Sequence, residues 1–259
     1  MDEDHVLVVE GLNVTRGGAQ VIRNASFVVN RNDYVGIVGP NGGGKTTLLL
    51  AILGMIPRES GTIKIFNQDI ASFRQWQRLA YVPQDAVNFD PNFPITVREL
   101  ISLGRVNRGN LGRPLKADDW EAVEDSIDFM GLREISDKRM GELSGGQKQR
   151  AFIAKALVRG PEILFLDEPI VGVDADTQEK FFQKMSNLNQ KRNITILMVS
   201  HDLTAVFCRM SRVLCVNRDV YSSPITPTVD PNELLRKAYG EHFHFVYHRH
   251  ECRGDFKDE

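Results

Sequence analysis

The chain has 259 residues, enough for one large α/β domain with a small appendix, and its 25% charged and 42% apolar residues are ordinary for a folded soluble protein. A net charge of −2 gives no sign of a nucleic-acid partner, and no apolar run reaches the ~20 residues that span a bilayer. The acidic start "MDEDHVLVVE" is unlike a signal peptide, and Cys208, Cys215 and Cys252 lack CxxC spacing, which argues for a reducing compartment rather than a disulfide framework.

The opening half alternates short β-like runs with turn signals: "HVLVVEGLNV", "RGGA", then "ASFVVNRNDYVGIVG". From Thr46 to Met55, "TTLLLAILGM" predicts a buried helix closed by "PRESG". "GTIKIF" and "RLAYVPQ" read as strands, the second ending in a proline turn. Residues 88 to 142 change character. "DDWEAVEDSIDFMGL" places Trp120, Val123, Ile127 and Met130 at helical spacing, so this stretch reads as a helical insert in a sheet domain. Strands return as "EILFLDEP" and "NITILMVSHD", each after a helical segment, which implies parallel strands with crossover helices. Proline then marks a linker at "SSPITPTVDPNE". The expected organisation is a domain over residues 1–221, with the insert at about 88–142, followed by a linker and histidine-rich extension over 222–259.

The stretch "GPNGGGKT", residues 39–46, fits the phosphate-loop pattern G-x-x-x-x-G-K-[ST], with a β-branched strand before it and a helix after it. Glycines let backbone N–H groups wrap a phosphate, and the helix N-terminus adds a favourable dipole. Lys45 would reach the β- and γ-phosphates and the Thr46 hydroxyl would ligate Mg²⁺. In "EILFLDEP", Asp167 and Glu168 stand at a strand's C-terminal end, where α/β sheets bind ligands. Asp167 suits the Mg²⁺ shell, and Glu168 is placed to orient and polarise an attacking water. "LSGGQKQR", residues 143–150, opens a further helix with Ser144 near its cap and two glycines exposing backbone N–H groups.

That last motif resembles the signature of ABC-type ATPases, and further matches run in the family's order. Gln84 in "YVPQ" resembles the Q-loop glutamine, Asp174 in "VGVD" the D-loop aspartate, and His201 in "VSHD" the switch histidine. The resemblance implies a P-loop NTPase (RecA-like) α/β core of mostly parallel sheet, with an N-terminal antiparallel β subdomain and an inserted helical subdomain. It implies ATP and Mg²⁺ as ligands. ATP would touch Arg16, Gly39, Pro40, Asn41, Gly42, Gly43, Gly44, Lys45, Thr46 and Thr47, and Mg²⁺ would be held by Thr46, Gln84 and Asp167. Glu168, His201 and Gln84 would be catalytic. A homodimer is implied, in which Leu143, Ser144, Gly145, Gly146 and Gln147 of one chain complete the nucleotide site of the other.

The family usually stacks an aromatic residue on adenine in an early "Y/F-G-G" turn, but "NVTRGGAQ" places Arg16 there. Two arrangements are open: a guanidinium stacked on the base, or Arg16 in solvent with Val14 or Val21 packing the base. Selectivity for ATP over GTP stays open with them.

A subunit with no membrane span must drive a separate permease pair, docked at the cytoplasmic face of the membrane, and would meet an extracytoplasmic metal-binding protein only indirectly. "VPQDAVNFDPNFPITVRELISLGR" and "EPIVGVDADTQ" are similar to importers of divalent zinc and manganese. Siderophore or cobalamin import is the rival cargo, and a non-transport ABC ATPase the rival class. Four of the six histidines, His242, His244, His248 and His250, crowd into "EHFHFVYHRHEC". Read as a strand, residues 242–250 put these imidazoles on one face and Phe243, Phe245 and Tyr247 on the other. With Glu251 and Cys252 nearby, the alternatives are a weak, exchangeable Zn²⁺ site or a polar face that uses histidine incidentally.

Overall fold

The computed structural model describes residues 4–245 except 89, 91, 108 and 171–173. The chain opens with β1 (His5–Arg16) and β2 (Ala19–Asn30), an antiparallel pair whose register closes at Arg16 opposite Ala19. Gly17 and Gly18 both adopt positive φ between them, the conformation a tight two-residue hairpin needs. β3 (Tyr34–Val38) is buried along its whole length and runs into α1 (Lys45–Ile52). That helix is apolar on nearly all sides, with Leu48, Leu49 and Ile52 fully buried. It ends at Ile52, before the expected Met55, because the chain turns at Gly54 with φ 65°. β4 (Ser60–Ile65) and β5 (Gln68–Asp69) follow.

Next come β6 (Leu79–Val82), α2 (Val97–Ser102), α3 (Ala117–Met130), α4 (Gly145–Leu157) and β7 (Ile163–Asp167). The chain continues through α5 (Ala175–Arg192), β8 (Thr195–Val199), α6 (Leu203–Arg209), β9 (Arg212–Asn217), β10 (Asp219–Pro224) and α7 (Pro231–Tyr239). These elements form two compact units, one from residues 1–74 with 185–259 and the other from 75–184.

In the first unit β2, β1, β4 and β5 make an antiparallel sheet. Leu7, Val9, Leu12 and Val14 of β1 and Ile22, Phe27 and Val29 of β2 are buried, the alternation of a sheet with one covered face. β3 lies between β8 and β9 with both neighbours parallel, and β10 adds antiparallel to β9. All three parallel strands are near-continuous apolar runs, as strands covered on both faces are. Gly36 permits one covering contact, since a Cβ there would stand 2.6 Å from Val206 Cγ1 of α6. β10 runs across the boundary expected between residues 221 and 222, and α7 packs on β9 and β10.

In the second unit β6 and β7 pair in parallel, and α2, α3 and α4 pack on one another. A capping box of Thr96 and Glu99 starts α2. Val123, Ile127 and Met130 of α3 are buried as their spacing predicts, whereas Trp120 is 40% exposed.

The expected strand over residues 242–250 is not found where the structure describes the chain. Residues 241–242 form a turn and 243–245 are irregular. The backbone of Phe245 pairs with the Asn232 side chain rather than with a strand: its N–H donates to Oδ1 at 2.6 Å and its carbonyl accepts from Nδ2 at 3.0 Å. The inward and outward division nevertheless appears. Phe243 and Phe245 are partly covered, and His242 and His244 are exposed. His248 and His250 lie outside the described residues, as do Tyr247, Glu251 and Cys252.

Candidate functional site

Two parallel neighbours of the first unit deliver chemistry to one sheet edge. β3 ends at Val38 and leads into the phosphate loop, and β8 ends at Val199, opposite Ile37, just before His201. Ser200 N–H donates to the Ile37 carbonyl at 3.1 Å, locking the two exits together. His201 is exposed there, and Asp202 caps α6 by accepting from Ala205 N–H at 2.9 Å.

Local chemistry shapes the loop itself. Gly44, at the helix cap, has φ 104°, and a Cβ would stand 2.9 Å from Ile22 Cδ1 and 3.1 Å from Val21 Cγ1. Gly39 and Gly43 press against the end of β9, where a Cβ on Gly39 would lie 1.9 Å from the Val216 carbonyl oxygen. Lys45 is buried, and its Nζ donates to the Gly39 carbonyl at 3.0 Å and the Pro40 carbonyl at 3.1 Å. Asn41 and Gly42 are exposed at the crest, with open space where a Gly42 side chain would be. Thr46 and Thr47 occupy the first turn of α1, with Thr47 buried. This is a cradle of backbone and one cation suited to a polyphosphate.

Arg16 is exposed at the tip of the β1–β2 hairpin. Val14 is fully buried among the sheet residues, which removes it as a surface on which a base packs, whereas Val21 flanks Gly44.

The second unit holds the acidic pair. β7 ends at Asp167, which is 1% exposed, and Glu168 follows with φ 46°. A non-glycine residue in the left-handed region costs of order 1–3 kcal/mol, and such strain recurs at functional turns. Gln84, just after the neighbouring strand β6, donates from Nε2 to Glu168 Oε2 at 2.7 Å. Sequence reading missed Tyr81 of β6. Burial, with the Asp167 carboxylate beside it, pushes this phenol up to about 12, so it stays a neutral donor against that carboxylate.

Leu143 is buried, and Ser144 and Gly145 are exposed at the start of α4. The Ser144 hydroxyl accepts from Gln147 N–H at 3.3 Å, while Gln147 Oε1 accepts from Ser144 N–H at 2.9 Å. A Cβ on Gly145 would meet nothing within 4 Å, so this helix start faces open space beside Gly146. Asp174, read as a D-loop residue, has its carboxylate engaged locally. It accepts from Thr177 N–H at 2.9 Å and Thr177 Oγ1 at 2.8 Å, which holds its pKa below the usual range.

An open groove of about 390 Å³ lies in the same unit, lined by Tyr81, Pro83, Leu103, Phe152, Lys155 and Arg159. Lys155 Nζ sits 5.9 Å from the Phe152 ring centre, and burial and Arg159 lower the pKa of its ammonium. Periodicity alone did not signal this groove, because its lining comes from β6, α4 and the segment after α2.

Among the described residues no group of three His, Cys, Asp or Glu side chains is arranged to hold a metal ion. His244 Nδ1 lies 3.5 Å from the Arg236 guanidinium. No described helix is long and apolar enough to cross a membrane.

Comparison with known proteins shows the family. Residues 22–171 match the family described as ABC transporter. The chain is 37% identical to the zinc uptake system ATP-binding protein ZurA of Listeria innocua, over 77% of each chain. It is 36% identical to the manganese transport system ATP-binding protein MntB of Halalkalibacterium halodurans, over 90% of this chain and 92% of that one. Among solved structures, cbiO1 of Clostridium perfringens, part of the cbiONQ ABC transporter complex, superposes with a TM-score of 0.77 at 28% identity, covering 90% of this chain and 94% of its own. The chain therefore belongs to the ABC transporter family, as one of its ATP-hydrolysing domains.

Proposed function

We propose that this chain powers an importer of divalent metal ions, zinc or manganese, as a homodimer docked on membrane permease subunits at the cytoplasmic face of the membrane. The observation that carries the cargo is the set of relatives named for zinc and manganese transport, which match over most of the chain. A separate capture protein outside the membrane would hand over the ion, and nucleic acid has no part in the reading.

In this reading Lys45 neutralises the β- and γ-phosphates, with the loop of residues 39 to 47 wrapped around them. Thr46, Asp167 and Gln84 each carry an oxygen of the kind Mg²⁺ takes, and an ion held by them would supply charge neutralisation to the phosphates. Glu168 orients the attacking water and takes its proton, Gln84 holds that carboxylate, and His201 contacts the γ-phosphate. Residues 143 to 147 of a second copy close the far side of the nucleotide, and Asp174 stands near the contact between copies. This arrangement makes ATP the clamp that shuts the dimer and hydrolysis the release. The groove beside Gln84 suits a permease helix, since it is apolar at Leu103 and Phe152 and cationic at Lys155 and Arg159. The tail histidines would give weak, exchangeable Zn²⁺ contacts, a reading supported by the exposure of His242 and His244.

The test is reconstitution. Co-expressed with its membrane partner in vesicles, the wild-type chain should drive ATP-dependent uptake of labelled zinc or manganese, and Lys45→Ala should not. Uptake of cobalamin or a ferric siderophore in place of both metals would overturn the cargo.

A further inference from the structure

The end of α7 reaches back to the phosphate loop. The Tyr239 hydroxyl accepts a hydrogen bond from Gly39 N–H at 3.0 Å, joining residues 200 positions apart. Gly39 is thereby hemmed in: its amide donates to Tyr239, its carbonyl accepts from Lys45, and the Val216 carbonyl stands where a side chain would be. Because the tyrosine engages an N–H at the start of the loop, it acts on the nucleotide only through the shape of that loop.

The C-terminal segment in turn holds Tyr239. Its ring stacks on Phe243 with centroids 4.6 Å apart and planes at 23°. Phe243 N–H donates to the Gly240 carbonyl at 3.0 Å, which folds the segment back beneath α7. Two residues on, Asn232 clasps the Phe245 backbone, and the Phe245 ring lies 6.0 Å from Phe207 of α6. Asn217, at the end of β9, donates to the Ala238 carbonyl at 2.7 Å and fixes the last turn of α7 beside Val216. All of these residues belong to the first compact unit.

We propose that Tyr239 is a positioning residue for the phosphate loop and that Phe243 of the C-terminal segment keeps it in place, so that this segment sets the affinity for ATP. A backbone amide that loses its partner frees the loop to sample conformations that do not match a triphosphate, and each such excursion weakens binding.

Full-length Tyr239→Phe keeps the ring and its stacking and removes only the acceptor. Its KM and Kd for Mg-ATP should rise about 3- to 10-fold, the scale of one hydrogen bond, while kcat at saturation stays within about twofold. Hydrogen exchange at the Gly39 amide should accelerate while that of Ile37, deep in β3, stays protected. Phe243→Ala, with Phe243→Leu as a milder second variant, should weaken ATP binding in the same direction with a smaller effect for leucine. Wild-type affinity in Tyr239→Phe would overturn the positioning role, and wild-type affinity in both Phe243 variants would overturn the part given to the C-terminal segment.

Discussion

Gln84 and Glu168 meet at 2.7 Å although 84 residues separate them in the chain. The contact exists because β6 and β7 are parallel partners with Val82 opposite Leu166, so the residues just past each strand emerge side by side. An amide donor thus holds the carboxylate at the strained turn after Asp167, where a proton acceptor for water would be needed.

Replacing that carboxylate separates chemistry from binding. Glu168→Gln should bind ATP yet hydrolyse it ~10²-fold or more slowly, the usual scale for losing a positioned acid–base group. The same variant should accumulate as an ATP-bound dimer by light scattering. Turnover at the wild-type rate would remove Glu168 from the mechanism.

Arg16 stands exposed at the hairpin tip, and Val14 is buried away from it. Arg16→Ala should raise KM for ATP about 2- to 5-fold, the scale of an exposed cation–π contact, and Arg16→Tyr should restore it. Equal KM values in all three proteins would leave Val21 as the side chain that packs the base.

Changing His242, His244, His248 and His250 together to alanine should abolish Zn²⁺ binding measured by titration calorimetry on the full chain. Hydrolysis should persist, since every catalytic candidate precedes the tail. Identical zinc isotherms for both proteins would assign the row to a polar face with no metal role.

Burial pushes the Cys215 thiol from its ordinary value near 9 up to about 12. The folded state therefore keeps its proton over a range in which the unfolded chain releases it. Stability from this group is complete below pH 9 and is lost as pH climbs towards 12. Melting temperatures measured across that window should fall, and Cys215→Ala should fall less steeply. Parallel curves for the two proteins would show that Cys215 contributes nothing to the alkaline loss.

The phosphate loop, the acidic pair and the helix start at Ser144 were legible in the sequence because each is a contiguous device. Its glycines, cap and flanking strand act within a few residues, so residue type and spacing carry the geometry. The tail was legible only in part. Alternation correctly sorted Phe243 and Phe245 from His242 and His244, but the same pattern suggested a strand, and over residues 242–245 the chain instead turns and is held by the side-chain clasp of Asn232.

Taken alone, the sequence determined an α/β phosphate-binding chain, because strand period, glycine placement and helix capping are local properties of the backbone. Only the tertiary structure decided that Gln84 faces Glu168, that Tyr81 lies against Asp167, and that Tyr239 closes on Gly39. Those pairings follow from which strands lie side by side and where α7 returns. Strand order is settled by burying apolar faces over the whole chain, and no local run of residues encodes it.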